Sequence, residues 1–132
     1  MFFLDTNICI YALKNTDRTL IKKLMLYSPS KIKIPAIVKS ELLYGAEKST
    51  RRIENREKVL EFIEPFEVVP YDDDATDRHA QLWAECEKQG KPVGPYDMII
   101  ASITISRNGT LVTNNTTEFS RIPGLNIVNW VK

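Results

Sequence analysis

The chain has one histidine, His79, and two cysteines, Cys9 and Cys86, in 132 residues. A single histidine rules out nucleolytic chemistry run by a pair of imidazoles, one acting as acid and one as base. Two cysteines with no CxxC pairing and no companion histidines cannot build a zinc site. Long apolar runs are also missing. The longest apolar stretch, around Met98–Ile105, is interrupted by Ser102 and Thr104 and is too short to span a bilayer. At the start, Met1-Phe2-Phe3-Leu4 runs straight into Asp5, with no basic leader and no apolar segment of signal length. The expectation is a soluble cytoplasmic protein with reduced thiols and no membrane partner. A surplus of charge is absent as well: 18 basic residues face 17 acidic ones, for a net charge of +1. A polyanionic partner would have to be met by locally gathered cations or by a bound metal ion, not by overall basicity.

What the chain does have is the composition of a globular domain, 43% hydrophobic and 27% charged. Its length suits one domain over residues 1–132, with no linker, repeat or low-complexity segment. Phe2-Phe3-Leu4 reads as a short buried strand ended by the turn-forming Asp5-Thr6-Asn7. Helical spacing follows over Ile8–Leu13 and again over about Asp17–Tyr27, where Leu20, Ile21, Leu24 and Met25 recur. Lys31-Ile32-Lys33-Ile34 alternates as a strand does, and a helix carrying Glu41 begins at Ala36. A charged helix over about Ser49–Phe62 leads to a third strand, Phe66–Val69. The acidic run Asp72-Asp73-Asp74 then suits the positive end of a helix that ends at Gly90. Pro95 opens a helix through Asp97 to about Arg107, Asn108-Gly109 turns the chain, and Thr110–Thr113 and Asn126–Val128 complete five strands. Strands separated by helices imply an α/β fold with a parallel sheet covered on both faces. Ligands of such sheets sit beyond the carboxyl ends of the strands. Asp5 follows the first strand directly, and Thr113-Asn114-Asn115 follows the fourth.

Taken singly, each acid has an ordinary explanation. Asp5 suits a helix N-cap, Glu41 a solvated position beside an apolar stripe, Asp97 the first turn of a helix, and Glu118 the surface of a short helix. Their joint placement says more. Carboxylates from distant parts of the chain converge on one end of the sheet, where mutual repulsion calls for shifted pKa values or bound cations. Ligation by carboxylates alone favours hard ions, Mg²⁺ or Mn²⁺. His79, in Asp77-Arg78-His79-Ala80-Gln81, reads as a surface residue on a polar helix face.

Four blocks share an order and spacing with one family: Leu4-Asp5-Thr6-Asn7, Ser40-Glu41-Leu42-Leu43-Tyr44-Gly45, Gly94-Pro95-Tyr96-Asp97-Met98-Ile99-Ile100-Ala101, and Val112-Thr113-Asn114-Asn115-Thr116-Thr117-Glu118-Phe119. Over nearly its whole length the sequence resembles the PIN-domain ribonucleases, and among them the VapC-type toxins of bacterial toxin–antitoxin pairs. The resemblance implies a three-layer α/β/α sandwich around a central parallel sheet. It implies catalytic acids at Asp5, Glu41 and Asp97, with Asp5 and Asp97 holding Mg²⁺, for which Mn²⁺ substitutes. The family's usual aspartate after the strand-four threonine falls near Asn115, whose amide cannot supply a carboxylate's charge. Glu118 matches the acidic residue before the phenylalanine. Thr6, Thr113 and Asn115 stand as supports for the carboxylates or for a metal's waters.

The implied activity is endonucleolytic cleavage of a structured cellular RNA, tRNA being a common target, with a 5′-phosphate and a 3′-hydroxyl left at the cut. The implied partners are a VapB-like antitoxin and a second copy of the chain, in a homodimer and a larger toxin–antitoxin assembly. Lys14, Lys48, Arg51, Arg52 and Lys91 are candidates for RNA contact, each equally well read as a solvated surface cation. Three rivals remain. A phosphatase of the haloacid dehalogenase type needs a second aspartate two residues after the first, where this chain has Asn7. A catalytically silent PIN-like binding module is at odds with three intact acids. A DNA-directed nuclease of the same broad fold is separated by substrate comparison.

Overall fold

The computed structural model describes residues 1–132. Its strands are β1 (Phe2–Leu4), β2 (Ile32–Pro35), β3 (Glu67–Val69), β4 (Thr110–Val112) and β5 (Asn126–Val128). The helices are α1 (Thr6–Lys14), α2 (Arg18–Met25), α3 (Ala36–Glu47), α4 (Arg52–Ile63), α5 (Asp73–Lys88), α6 (Pro95–Ser106) and α7 (Thr116–Phe119), with one 3₁₀ turn at Pro29–Lys31. All strand pairs are parallel, in the order β3-β2-β1-β4-β5. Successive residues of a strand point to opposite faces of a sheet. Phe3 and Leu4 of β1, and Leu111 and Val112 of β4, are nevertheless all fully buried. Both faces of the sheet are therefore covered, which is the expected α/β/α sandwich.

Three aspartates start helices in the same way. Asp5, Asp17 and Asp72 each accept a hydrogen bond from the backbone N–H three residues on, at 2.9, 2.9 and 3.0 Å. Such a cap satisfies a donor that the helix leaves free. The capping by Asp5 moves the start of α1 forward to Thr6, so Asp5-Thr6-Asn7 is a helix entry and not a separate turn. The charged helix starts later than its composition suggests, at Arg52 and not Ser49, because Ser49 folds back onto Ala46 O and receives Asn55 Nδ2. Helix α6 is apolar nearly all round and buries Met98, Ile100, Ala101 and Ile103. Its two polar interruptions cost little, since Ser102 and Thr104 return their hydroxyl protons to Met98 O and Ile100 O one turn back.

The strand order reverses direction between β1 and β4. The chain moves outward from β1 to β2 and β3, then crosses back to place β4 on the other side of β1. The carboxyl ends of β1 and β4 thus flank the crevice where such sheets bind ligands. At the opposite end, Phe2, Tyr27 and Trp130 cluster, with Tyr27 and Trp130 stacked nearly parallel at 6° and 5.4 Å and Phe2 tilted against both, tying residues near the end of the chain to the first strand.

Gly109, just before β4, lies against the ring of Phe3, and a β-carbon there would run into that ring. Phe3 is fully buried and has nowhere to retreat. Gly109→Ala is expected to destabilise the protein by about 1–3 kcal/mol, the usual cost of overpacking a filled core. Urea midpoints of the two proteins measure it, and an unchanged midpoint would refute the packing described here.

Candidate active site: carboxylates at the sheet's switch point

Asp5 is the first residue beyond β1 and is almost completely buried. Its backbone N–H donates to Val112 O of β4, so its position is set by the sheet itself. One carboxylate oxygen accepts from Ile8 N–H at 2.9 Å, and the other accepts a short hydrogen bond from Thr113 Oγ1. Thr113 Oγ1 in turn accepts the backbone N–H of Asn115 at 2.9 Å. Burial pushes the Asp5 carboxyl above its ordinary pKa, the two donors pull it back, and the neighbouring Glu41 charge raises it again.

Glu41 projects from the middle of α3 and is half-buried. Thr6 Oγ1, at the start of α1, donates to Glu41 Oε1 at 2.9 Å. Asp97 lies in the first turn of α6 and is also half-buried. Burial first, then hydrogen bonding to Glu118, then the charges of Glu118, Asp5 and Glu41 push its pKa from 3.8 up to about 7. Glu118, on α7, accepts from Gly94 N–H at 2.9 Å and from Asn115 Nδ2 at 3.2 Å. Burial works against its charge, but these donors, the Asp97 hydrogen bond and the charge of Arg121 bring its pKa below the usual value. Asp97 is thus the acid of this pair that resists ionisation, and Glu118 the one that favours it.

The four acids singled out from the sequence gather at this end of the sheet: Asp5 feels the charge of Glu41, and Asp97 feels those of Glu118, Asp5 and Glu41. The supporting residues also have definite partners: Thr6 holds Glu41, Thr113 holds Asp5, and the Asn115 amide holds Glu118. Asn115 therefore acts as a donor to a carboxylate, which an aspartate at that position could not do. One contributor was invisible in the sequence. The Gly94 N–H is a backbone group, and nothing in a sequence marks which amide a distant glutamate will find.

The oxygen-only donor set suits a hard cation. No three His, Cys, Asp or Glu side chains are closed into a coordination shell. A hard ion that keeps several of its waters needs only one or two direct carboxylates, and the raised Asp97 carboxyl marks crowded negative charge that a cation would relieve. The residues fit such an ion.

Of the basic candidates, Arg51 and Arg52 are engaged with Glu54 at 3.5 Å and Glu47 at 3.9 Å, whereas Lys48 lies 5.1 Å from the centre of the Tyr44 ring. Lys14 and Lys91 are exposed. His79 is in hydrogen-bond contact with Tyr71 at 3.0 Å.

The PIN domain family model matches residues 2–125, and the chain belongs to the PIN domain family, among its VapC-type members. It is 43% identical over 129 residues to the tRNA(fMet)-specific endonuclease VapC of Salmonella typhimurium, covering 98% of this chain and 97% of that one. With Ribonuclease VapC2 of Rickettsia felis it shares 39% over 133 residues, covering 100% and 99%. Among solved structures, the DNA-bound VapBC of Salmonella typhimurium superposes with a TM-score of 0.93 at 43% identity, over 98% of this chain and 97% of the other. VapBC2 of Rickettsia felis, bound to a fragment of promoter DNA, superposes at 0.92 and 38% identity, over 98% of each.

The raised Asp97 carboxyl has a consequence for stability. Between its unfolded value of 3.8 and its folded value of about 7, the native protein holds a proton that the unfolded chain has lost. Stability therefore falls as pH rises through that window. In chelator, melting temperature is expected to be higher near about pH 5 than near about pH 8, and Asp97→Asn is expected to flatten the dependence. A wild-type melting temperature that rises across the same range would contradict the raised Asp97 carboxyl.

Proposed function

We propose that this chain is a metal-dependent endoribonuclease toxin that cuts cellular RNA, with tRNA its substrate class, and that a VapB-type antitoxin holds it inactive. The observation that carries this reading is the gathering of Asp5, Glu41, Asp97 and Glu118 at the switch point of a PIN-type sheet. Relatives at 43% and 39% identity along their full length bear the names of a tRNA(fMet)-specific endonuclease and a ribonuclease, which supports RNA as the substrate. Solved relatives are VapBC complexes, which supports an antitoxin partner. The working form is a homodimer joined to that antitoxin in the cytoplasm.

Asp5 and Asp97 would hold the divalent ion, Mg²⁺ or Mn²⁺. Such an ion would supply Lewis acidity and charge neutralisation at the phosphate. Glu41, fixed by Thr6, orients the attacking water and accepts its proton. Thr113 holds Asp5 in one rotamer while Ile8 N–H holds its other oxygen, so the carboxylate is positioned before substrate arrives. Glu118 completes the acidic rim, steadied by Gly94 and Asn115. Because water is the nucleophile, the ribose 2′-hydroxyl takes no part, and the cut leaves a 5′-phosphate and a 3′-hydroxyl.

Asp5→Asn keeps an oxygen for the Ile8 cap and is the sharper probe, since Asp5→Ala also removes the cap, at about 1 kcal/mol. Asp5→Asn and Asp97→Asn are each expected to lower cleavage of unfractionated tRNA by about a hundredfold or more and to relieve growth inhibition. Mapping of product ends checks the route: 2′,3′-cyclic phosphates would overturn it, as would undiminished cleavage by purified Asp5→Asn protein. Single-stranded DNA incubated in parallel is expected to stay intact.

A further inference from the structure

Four aromatic side chains are more exposed than covered by their surroundings or nearly so: Tyr44 at 64%, Tyr71 at 40%, Trp83 at 55% and Tyr96 at 56%. Their neighbours separate them. Trp83 donates its indole N–H to Glu87 Oε2 at 3.1 Å, placing a carboxylate beside the ring. Tyr71 is turned toward His79, in edge contact and hydrogen bonded to it. Tyr96 has no cation against its ring. Tyr44 alone carries a cation, Lys48, whose ammonium sits 5.1 Å from the ring centre.

Tyr44 and Lys48 stand in a definite relation to the acids. They follow Glu41 on α3 by three and seven residues, and Lys48 keeps the right-handed helical backbone at the end of that helix. At 3.6 residues per turn these spacings put Tyr44 about 60° and Lys48 about 20° round the helix from Glu41, one to two turns further along. The result is one stripe: a site carboxylate, an exposed aromatic ring, then an ammonium. Arg51 and Arg52 beyond it are each within reach of a glutamate, whereas Lys48 has no carboxylate within 4.0 Å. Its charge remains available to a ligand.

An exposed ring next to an unneutralised cation is the combination that binds single-stranded nucleic acid, the ring stacking on a base and the cation meeting the adjoining phosphate. A net charge of only +1 makes such a local arrangement necessary if RNA is to approach a rim of carboxylates at all. We propose that Tyr44 and Lys48 form an RNA-binding subsite along α3, where an unpaired base stacks on Tyr44 and a neighbouring phosphate pairs with Lys48, leading the strand toward Glu41. The proposal rests on the ribonuclease reading given above. It adds to that reading a place for the strand and a requirement that the nucleotide at that place be unpaired.

The test compares wild type with Tyr44→Ala, Tyr44→Phe and Lys48→Gln in two assays. One is steady-state cleavage of unfractionated tRNA. The other is binding of a short fluorescein-labelled single-stranded RNA in chelator, read by anisotropy across a salt series, which needs neither metal nor turnover. Tyr44→Ala is expected to weaken oligonucleotide binding and to raise KM by about tenfold or more while leaving kcat little changed. Tyr44→Phe is expected to restore both, because stacking uses the ring and not the hydroxyl. Lys48→Gln is expected to make the salt dependence of binding shallower by about 0.7 in log–log slope, the loss of one phosphate contact on a single strand. Unchanged binding and KM in Tyr44→Ala would overturn the subsite. So would a Tyr44→Phe as weak as Tyr44→Ala, or a Tyr44→Ala that binds RNA normally and loses only its inhibition by antitoxin. Those results leave the ribonuclease reading standing. A wild-type protein that neither binds nor cuts RNA overturns both.

Discussion

The placement of Asp5 is the constraint on which the other parts depend. Its backbone joins β1 to β4, one carboxylate oxygen starts α1, and the other is held by Thr113 beyond β4. A buried carboxylate without donors is costly, and here two donors meet it. Because α1 is thereby set on the end of β1, Thr6 is placed to reach Glu41 on α3, 35 residues away. Because Thr113 is committed to Asp5, the N–H of Asn115 closes onto Thr113 and its amide is turned toward Glu118. The cap and the site are one construction. Serving as a helix cap leaves Asp5 a second oxygen, and that one is turned to Thr113 beyond β4.

The electrostatics of the cluster run against folding. Burial first, and then Glu118 and the charges of Asp5 and Glu41, disfavour the ionisation of Asp97, which holds its proton up to about 7 as a result. Elsewhere the structure avoids such conflict. Lys33 pairs with Glu67 across β2 and β3 at 2.8 Å, and no buried side-chain polar atom lacks a partner. Local disagreement confined to one place, inside a fold that is otherwise consistent, is the signature of a part kept for something other than stability.

The sequence is a good guide to whatever has a short period or a local cause. Alternation and helical spacing locate every strand and every major helix, and Pro95, Gly109 and the capping aspartates mark where segments begin. The family blocks bring out all four acids. What the sequence hides is which partner a given polar group finds. The Gly94 amide bound to Glu118 is one such case. Another is Asn115, a shortfall of charge in the sequence and a donor in the structure. The start of α4 is a third, shifted to Arg52 by the folding back of Ser49. Composition likewise suggests five equivalent cations, and only spatial pairing separates Lys48 from Arg51 and Arg52.

Strand β4 lies between β1 and β5, yet it is the fourth strand to be made. As the polypeptide emerges during translation, β1, α1 and α3 are present long before the strand that completes their neighbourhood. Asp5 then has no Thr113 to hold it, and Asp97 has no Glu118. The acids exist in the growing chain, but the site does not until synthesis has passed residue 118. A polypeptide that has not yet reached residue 118 thus carries most of the acids without the contacts that bring them together.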